Sequence, residues 1–322
     1  MKKMFLFAAA AMVSLSSCVQ TDEVYTGKLN EMGFKSAVTR GIIQSNNDMT
    51  YPIAVTAVWD DTKNGEFASY FENGKFVYDE ASSLWKGEPA RYWPTSGNMQ
   101  FIGVSPYPVN SDLVPSYKTN GEIEKLVWGG TSAIDNNIKD QHDVLFSDIL
   151  SVEAPQPSAQ PLLFHHAYSQ LNVTFKKTDS AATVVVKNVA VQGVNLSGIL
   201  TVTPGADGTS TAEWQPGLTV SRYFLSETAT GVENGVLDAT LEAATPFAPQ
   251  PVLVIPSAQT RIVIVYTIDG HEHTYTHTLS GNWEMGYKYT YNYTINVNEI
   301  IFDCTVDEWK TPTVGGGGSI MI

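Results

Sequence analysis

Only two cysteines, Cys18 and Cys304, occur in the 322 residues. A disulfide framework is therefore excluded, and stability has to come from packed cores. Basic residues are scarce as well: 19 Lys and Arg stand against 33 Asp and Glu, a formal net charge of −14. Neutralising a phosphate backbone needs a basic face, so nucleic acid is excluded as a partner. The sequence also lacks a Gly-x-Ser-x-Gly elbow, a Gly-rich phosphate loop before a helix, a His-Glu-x-x-His helix and a Cys-x-x-Cys pair. No spacing among the carboxylates singles out an acid and a base, which points to a non-enzymatic protein without cofactor or metal.

What is present suits packed cores: 43% of the residues are hydrophobic and 11% aromatic. At roughly 100 to 200 residues per domain, this length suggests two. The chain opens with Lys2 and Lys3, an apolar run over residues 4–13, and Leu15-Ser16-Ser17-Cys18. That is the pattern of a secretory signal, too short to span a membrane as a mature helix. Its end resembles the bacterial lipobox, in which Cys18 is acylated and becomes the new N-terminus. Removal of residues 1–17 takes both lysines with it and leaves Cys304 with no intrachain partner. The following Gln20-Thr21-Asp22-Glu23 resembles the acidic tetrapeptide that sends lipoproteins of the Bacteroidetes to the outer face of the outer membrane. Acyl chains contribute roughly 0.8 kcal/mol per buried methylene, so such an anchor is durable.

Beyond this tether, nearly every apolar segment reads as a strand, short, rich in Val, Ile, Tyr, Phe and Thr, and bounded by Gly, Asn, Asp or Pro. Residues 53–59, 99–104, 170–175, 182–187 and 287–297 are the clearest, and residues 121–126 are the one candidate for a turn or two of helix. Asn73-Gly74 and Asp269-Gly270 tolerate the positive φ of a two-residue turn. They predict hairpins joining 67–71 to 75–79 and 261–268 to 271–279. A Pro-rich passage at 155–161 is expected to connect two β-sandwich domains, 41–156 and 157–310, followed by a Gly-rich tail at 311–322. Residues 18–40 form the lipidated tether together with an N-terminal strand.

Three constellations invite chemistry. His271, His273 and His277 project from one face of a strand, but with Asp269-Gly270 as the turn His273 lies opposite Tyr266 and His277 opposite Ile262, an apolar, core-directed face. His165 and His166 are adjacent, so they point to opposite sides of a strand and do not share an ion. Trp85, Tyr92 and Trp93 lie close together, and exposed rings there could stack on sugars; packing in the core is the competing expectation. Asp179-Ser180-Ala181 matches a short O-glycosylation acceptor pattern.

Taken in order, several landmarks resemble one family, the fimbrillins, lipoprotein pilins of Bacteroidales type V pili. They are the lipobox at Cys18, Thr39-Arg40, RYWP at 91–94, FIGVSP at 101–106, DVLF at 143–146 and LFHHA at 163–167. PVLVIP at 251–256, NWEMGY at 282–287 with Tyr289 and Tyr291, and VDEW at 306–309 follow. The resemblance covers essentially the whole chain. It implies an all-β fold of two transthyretin-like β-sandwich domains in tandem, export as a lipoprotein and cleavage after an arginine by a trypsin-like or gingipain-type protease. It also implies head-to-tail polymerisation with other fimbrial subunits by strand exchange. Arg40, followed by Gly41, matches the cleavage site.

The physics of that site stands on its own. Met32, Phe34 and Val38 alternate with smaller or polar residues, so residues 31–38 can bury one strand face in the first sandwich. Cutting after Arg40 detaches this strand from the body. Its departure would leave an apolar groove flanked by two unpaired strand edges, which a strand of another chain can complete. The donor is sought at the C-terminus, where residues 315–318 are all glycine and act as a swivel. Ile320, Met321 and Ile322 are the only apolar residues beyond it, so a donor of usual length would draw in 310–314 or unpeel 300–309. The function expected is a stalk or tip subunit of cell-surface fimbriae, held at the outer membrane before cleavage, with a host or bacterial receptor as a further partner. The alternative is a permanently anchored glycan-binding lipoprotein using the aromatics at 85–93, and a β-sandwich hydrolase ranks third.

Overall fold

The computed structural model describes residues 31–37, 51–108, 113–129, 141–178, 181–226, 246–297 and 299–309. All regular structure among the described residues is strand. In chain order the strands are β1 (Gly33–Ala37), β2 (Ile53–Asp60), β3 (Ala68–Asp79), β4 (Leu84–Gly87), β5 (Asn98–Ser105), β6 (Leu113–Tyr117), β7 (Ile123–Trp128), β8 (Leu145–Ser147), β9 (Leu150–Glu153), β10 (Gln160–His166) and β11 (Ser169–Lys177). They continue as β12 (Val184–Asn195), β13 (Gly198–Pro204), β14 (Ser210–Pro216), β15 (Thr219–Ser226), β16 (Val252–Val254), β17 (Ser257–Ala258), β18 (Arg261–Ile268), β19 (His271–Thr278), β20 (Asn282–Trp283), β21 (Tyr287–Ile295) and β22 (Ile300–Glu308).

The sequence of β2, IAVTAVWD, does not alternate, and all but one of its residues are buried. A strand of that kind must have protein on both faces. Parity sorts its side chains: Ile53, Val55 and Ala57 enter one core, Ala54 and Val58 another. Its antiparallel partner β5 sends Met99 and Phe101 to the first core and Ile102 and Val104 to the second. The β2–β5 pair is thus the wall between two cores.

The first core is enclosed by a ring of strands in the order β2-β3-β4-β1-β10-β8-β5, closed by the pairing of β5 back onto β2, with β9 added alongside β5. Hydrogen bonding around a closed ring leaves no free edge. The second core lies between two four-stranded sheets, β16-β11-β21-β22 and β15-β12-β18-β19. Val173, Phe175, Tyr291 and Tyr293 from one sheet meet Val186, Val189, Ile262 and Ile264 from the other in a single cluster, so this part is a β-sandwich.

A further sheet, β14-β13-β7-β6, ties the halves of the chain together, because Trp128 and Leu126 of β7 stand opposite Leu200 and Val202 of β13. Strand β10 begins within the Pro-rich passage at 155–161 and is a member of the ring. The second core draws on residues before and after it, from Leu113 and Trp128 to Ala167 and Tyr168 and onward.

Two local expectations are corrected. Asn73-Gly74 is no hairpin turn, because β3 runs through it and pairs with β2 on both sides, from Ile53↔Phe76 to Trp59↔Ala68 with register shifts between. The positive φ of Asn73, 47°, serves a bulge instead. Its side chain holds the bulge in place, donating to Leu113 O at 2.7 Å, while its backbone N–H donates to Thr56 Oγ1 at 3.1 Å. Residues 121–126 are not helical either; Ile123 to Leu126 are the first four residues of β7. Asp269-Gly270 does form the two-residue turn, with φ of 49° and 83° and the register Ile268↔His271.

The β6–β7 turn packs onto the loop before β3, where Phe67 N donates to Asn120 O at 2.7 Å. A Cβ at Gly121, whose φ is 78°, would lie 1.8 Å from Phe67 O. Gly121→Ala is expected to lower unfolding stability by about 1 to 3 kcal/mol, read from the urea midpoint; an unchanged midpoint would contradict this packing.

Candidate functional site

The closing strand of the ring is β1. It pairs antiparallel with β4, Gly33↔Lys86 and Phe34↔Trp85, and parallel with β10 from Phe34↔Gln160 to Ala37↔Leu163. It therefore supplies the backbone partners for the facing edges of two neighbours at once.

Met32 and Phe34 have no exposed surface, while Glu31 and Lys35 face solvent. The Phe34 ring sits edge-on between Phe76 at 5.1 Å and Phe101 at 5.3 Å. Burial of two such side chains is worth about 3 to 6 kcal/mol in all. The RYWP segment forms the cradle: Arg91 O accepts the Met32 N–H at 2.7 Å, the Arg91 guanidinium lies 5.0 Å from the centre of the Phe71 ring, and Trp93 packs edge-on against Phe101 at 5.5 Å. Asp79 and Lys86 pair across the β3–β4 hairpin that flanks β1, and with the Ser82 hydroxyl this holds the Asp79 carboxyl down at about 2. Val38, Arg40 and Gly41 lie outside the described residues, as do Cys18, Ser180 and the tail with Ile320, Met321 and Ile322.

A family model described as fimbrillin-like matches residues 39–309. The chain belongs to the fimbrillin-like family. Its fold is similar to that of a fimbrial protein from Bacteroides vulgatus, at 16% identity and a TM-score of 0.58 over 87% of this chain and 100% of that one. A candidate cell adhesion protein from Bacteroides uniformis is similar at 14% identity and a TM-score of 0.51, covering 87% of this chain and 99% of the other. No curated protein sequence matches the chain.

In this fimbrillin-like chain, landmarks far apart in sequence meet at the junction of the two cores. Asp143, from the DVLF segment, and His166, at the end of β10, are buried and hydrogen-bonded to each other. The His166 ring stacks on Trp309 with centroids 3.7 Å apart and planes within 13°. Lys288 lies 5.6 Å from the centre of the same indole, and Trp309 N donates to Gly286 O at 2.6 Å. Burial pushes the Asp143 carboxyl up, against the opposing pull of His166. Nearby, the buried Gln141 accepts from Arg222 Nη2 at 2.8 Å and from Leu253 N at 3.0 Å and donates to Pro251 O at 2.6 Å. This second site clamps the ring to the sandwich at the point where the chain leaves β22.

Of the two expectations for the aromatic cluster, core packing is the one that holds for its tryptophans. Trp85 and Trp93 are 1% and 4% exposed and belong to the first core, and only Tyr92 is open to solvent. A permanently anchored protein binding glycans through those rings loses its surface. The histidines of β19 do take the expected register, His273↔Tyr266 and His277↔Ile262. Their face is the core side, shared with Ile262, Ile264 and Tyr266, but it is covered only toward His277, and His271 and His273 at the turn end are exposed. His277 packs against Tyr293 and Phe302, and partial burial lowers its pKa. No three metal-ligating side chains come together among the described residues.

Two substitutions weigh these sites. Phe34→Ala is expected to cost about 3 to 5 kcal/mol in denaturant unfolding, with loss of the β1 pairing seen by hydrogen exchange at β4 and β10. Asp143→Ala is expected to cost about 1 to 3 kcal/mol, because the buried hydrogen bond to the His166 ring is lost. A loss below about 1 kcal/mol in either would contradict the role given to that residue.

Proposed function

We propose that this fimbrillin-like chain is a structural, non-enzymatic subunit of a cell-surface fimbrium. It is exported as a lipoprotein acylated at Cys18, cut between Arg40 and Gly41, and assembled head to tail by donor-strand exchange into the groove that β1 vacates. The two cores correspond, on this reading, to the tandem transthyretin-like domains of the family. The observation that carries the proposal is the position of β1: the strand that closes the ring is the first of the described strands, and Arg40 is the one basic residue between Lys35 and Lys63. A protease specific for basic residues has a single target between the plug and the permanent body.

Once cut, β1 is held by non-covalent contacts alone. Its departure exposes the Phe76 and Phe101 rings together with the free edges of β4 and β10. That surface demands a strand. Donor and acceptor are different surfaces, so the contact is heterologous and propagates as a filament rather than closing as a dimer. The donor on this reading is the C-terminal segment, with Ile320, Met321 and Ile322 at its tip.

Arg40→Ala protein, expressed in its native cell surface setting, should keep residues 18–40 and yield no high-mass polymer on denaturant-resistant gel ladders. Normal ladders with Gly41 still at the N-terminus would refute the cleavage-gated mechanism.

A further inference from the structure

The last strand of the sandwich presents an edge of unusual character. Strand β22 pairs with β21 alone, in unbroken register from Tyr287↔Glu308 to Ile295↔Ile300, and nothing among the described residues pairs with its other side. Residues 301–308 are all exposed, including Ile301 at 52%, Phe302 at 37% and Val306 at 52%. Natural edges are guarded by charged side chains, Pro or a bulge. This one has neither Pro nor bulge, and its charges are all acidic: Asp303, Asp307 and Glu308.

We propose that β22 is a pairing edge for a second copy of this chain, joined antiparallel about Cys304. The strand is self-complementary in that register. Phe302 of one copy then faces Val306 of the other, Asp303 faces Thr305, Ile301 faces Asp307, and Ile300 faces Glu308, so no acidic residue meets another. A slip that centres the pair on residue 303 sets Asp303 against itself. A slip to 305 sets Asp303 against Asp307 twice. Like charges directly opposite are destabilising, so the register about Cys304 is the one of full length that the charges allow.

The inner face agrees with this. Phe302, Cys304 and Val306 stand opposite Tyr293, Tyr291 and Tyr289, the core-facing row of β21. Pairing extends that apolar row across the two copies, and the two four-stranded sheets become one continuous sheet about a twofold axis. The contact uses neither β1 nor its groove, so it is a lateral association compatible with head-to-tail exchange when the donor is drawn from residues 310–322 and β22 stays in the sandwich.

The test uses the full chain carrying Cys18→Ser and Arg40→Ala, which leaves Cys304 as the single thiol and removes the basic cleavage target. Sedimentation equilibrium should show a monomer–dimer equilibrium, and a short bismaleimide should alkylate Cys304 of both copies and link them. Thr305→Lys places an ammonium opposite Asp303 twice and should tighten the dimer about fivefold, whereas Thr305→Asp should weaken it by a similar factor. Thr305 is solvent-exposed on the outer face, so thermal unfolding of dilute samples should be equal for the two variants. A chain that stays monomeric and unlinked at every concentration, as it would if its own residues 310–322 covered β22, overturns the proposal. A dimer indifferent to both Thr305 substitutions, as another surface would give, overturns it equally.

Discussion

Closure of the first ring is the constraint on which the rest of this structure depends. A sheet that closes on itself has no unpaired backbone, and here closure is achieved by the five residues of β1, wedged between β4 and β10. Two buried side chains, Met32 and Phe34, fill the core beneath them. The stability of the ring is thereby assigned to a segment at the N-terminal margin of the fold. On the proposed mechanism, removing that segment opens the first core, while β2 and β5 stand between it and the second core as a wall buried on both faces.

The junction clamp fits the same division. His166, Asp143 and Trp309 join the ring to the sandwich through buried and stacked groups, so the body can stay intact while β1 is absent. Gln141 adds a second tie through Arg222, Pro251 and Leu253. The two ends of the described chain are thus held very differently. At one end β1 is paired along both edges with Phe34 buried; at the other, β22 is paired along one edge only among the described residues.

Much of this was legible in the residues. Short Val-, Ile- and Tyr-rich runs gave the all-β class, the Asp269-Gly270 turn gave the β18–β19 register, and the alternation around Phe34 gave a strand with one buried face. What local pattern could not supply was partnership. Nothing near residue 34 says that it pairs in parallel with residue 160. Asn73-Gly74 misled because a residue with positive φ serves a bulge as well as a turn, and the choice is made by β2, which pairs on both sides of it. Trp85 and Trp93 were ambiguous because aromatic rings suit a sugar platform and a core equally. His166 was weighed against its neighbour His165, whereas its partners are 23 residues before it and 143 after it. The neat alternation of β22 resembles that of a covered strand, and only the sheet order shows that its sole partner among the described residues is β21.

The central claim is that β1 is what completes the edges of β4 and β10, and that a cut at Arg40 makes it removable. Hydrogen exchange read by mass spectrometry before and after cleavage with an arginine-specific protease tests this most directly. The amides of Leu84–Gly87 and Gln160–His166 should lose protection when the N-terminal fragment leaves, and regain it on addition of a synthetic peptide spanning residues 31–40. Unchanged protection of both strands with the fragment gone would contradict the account.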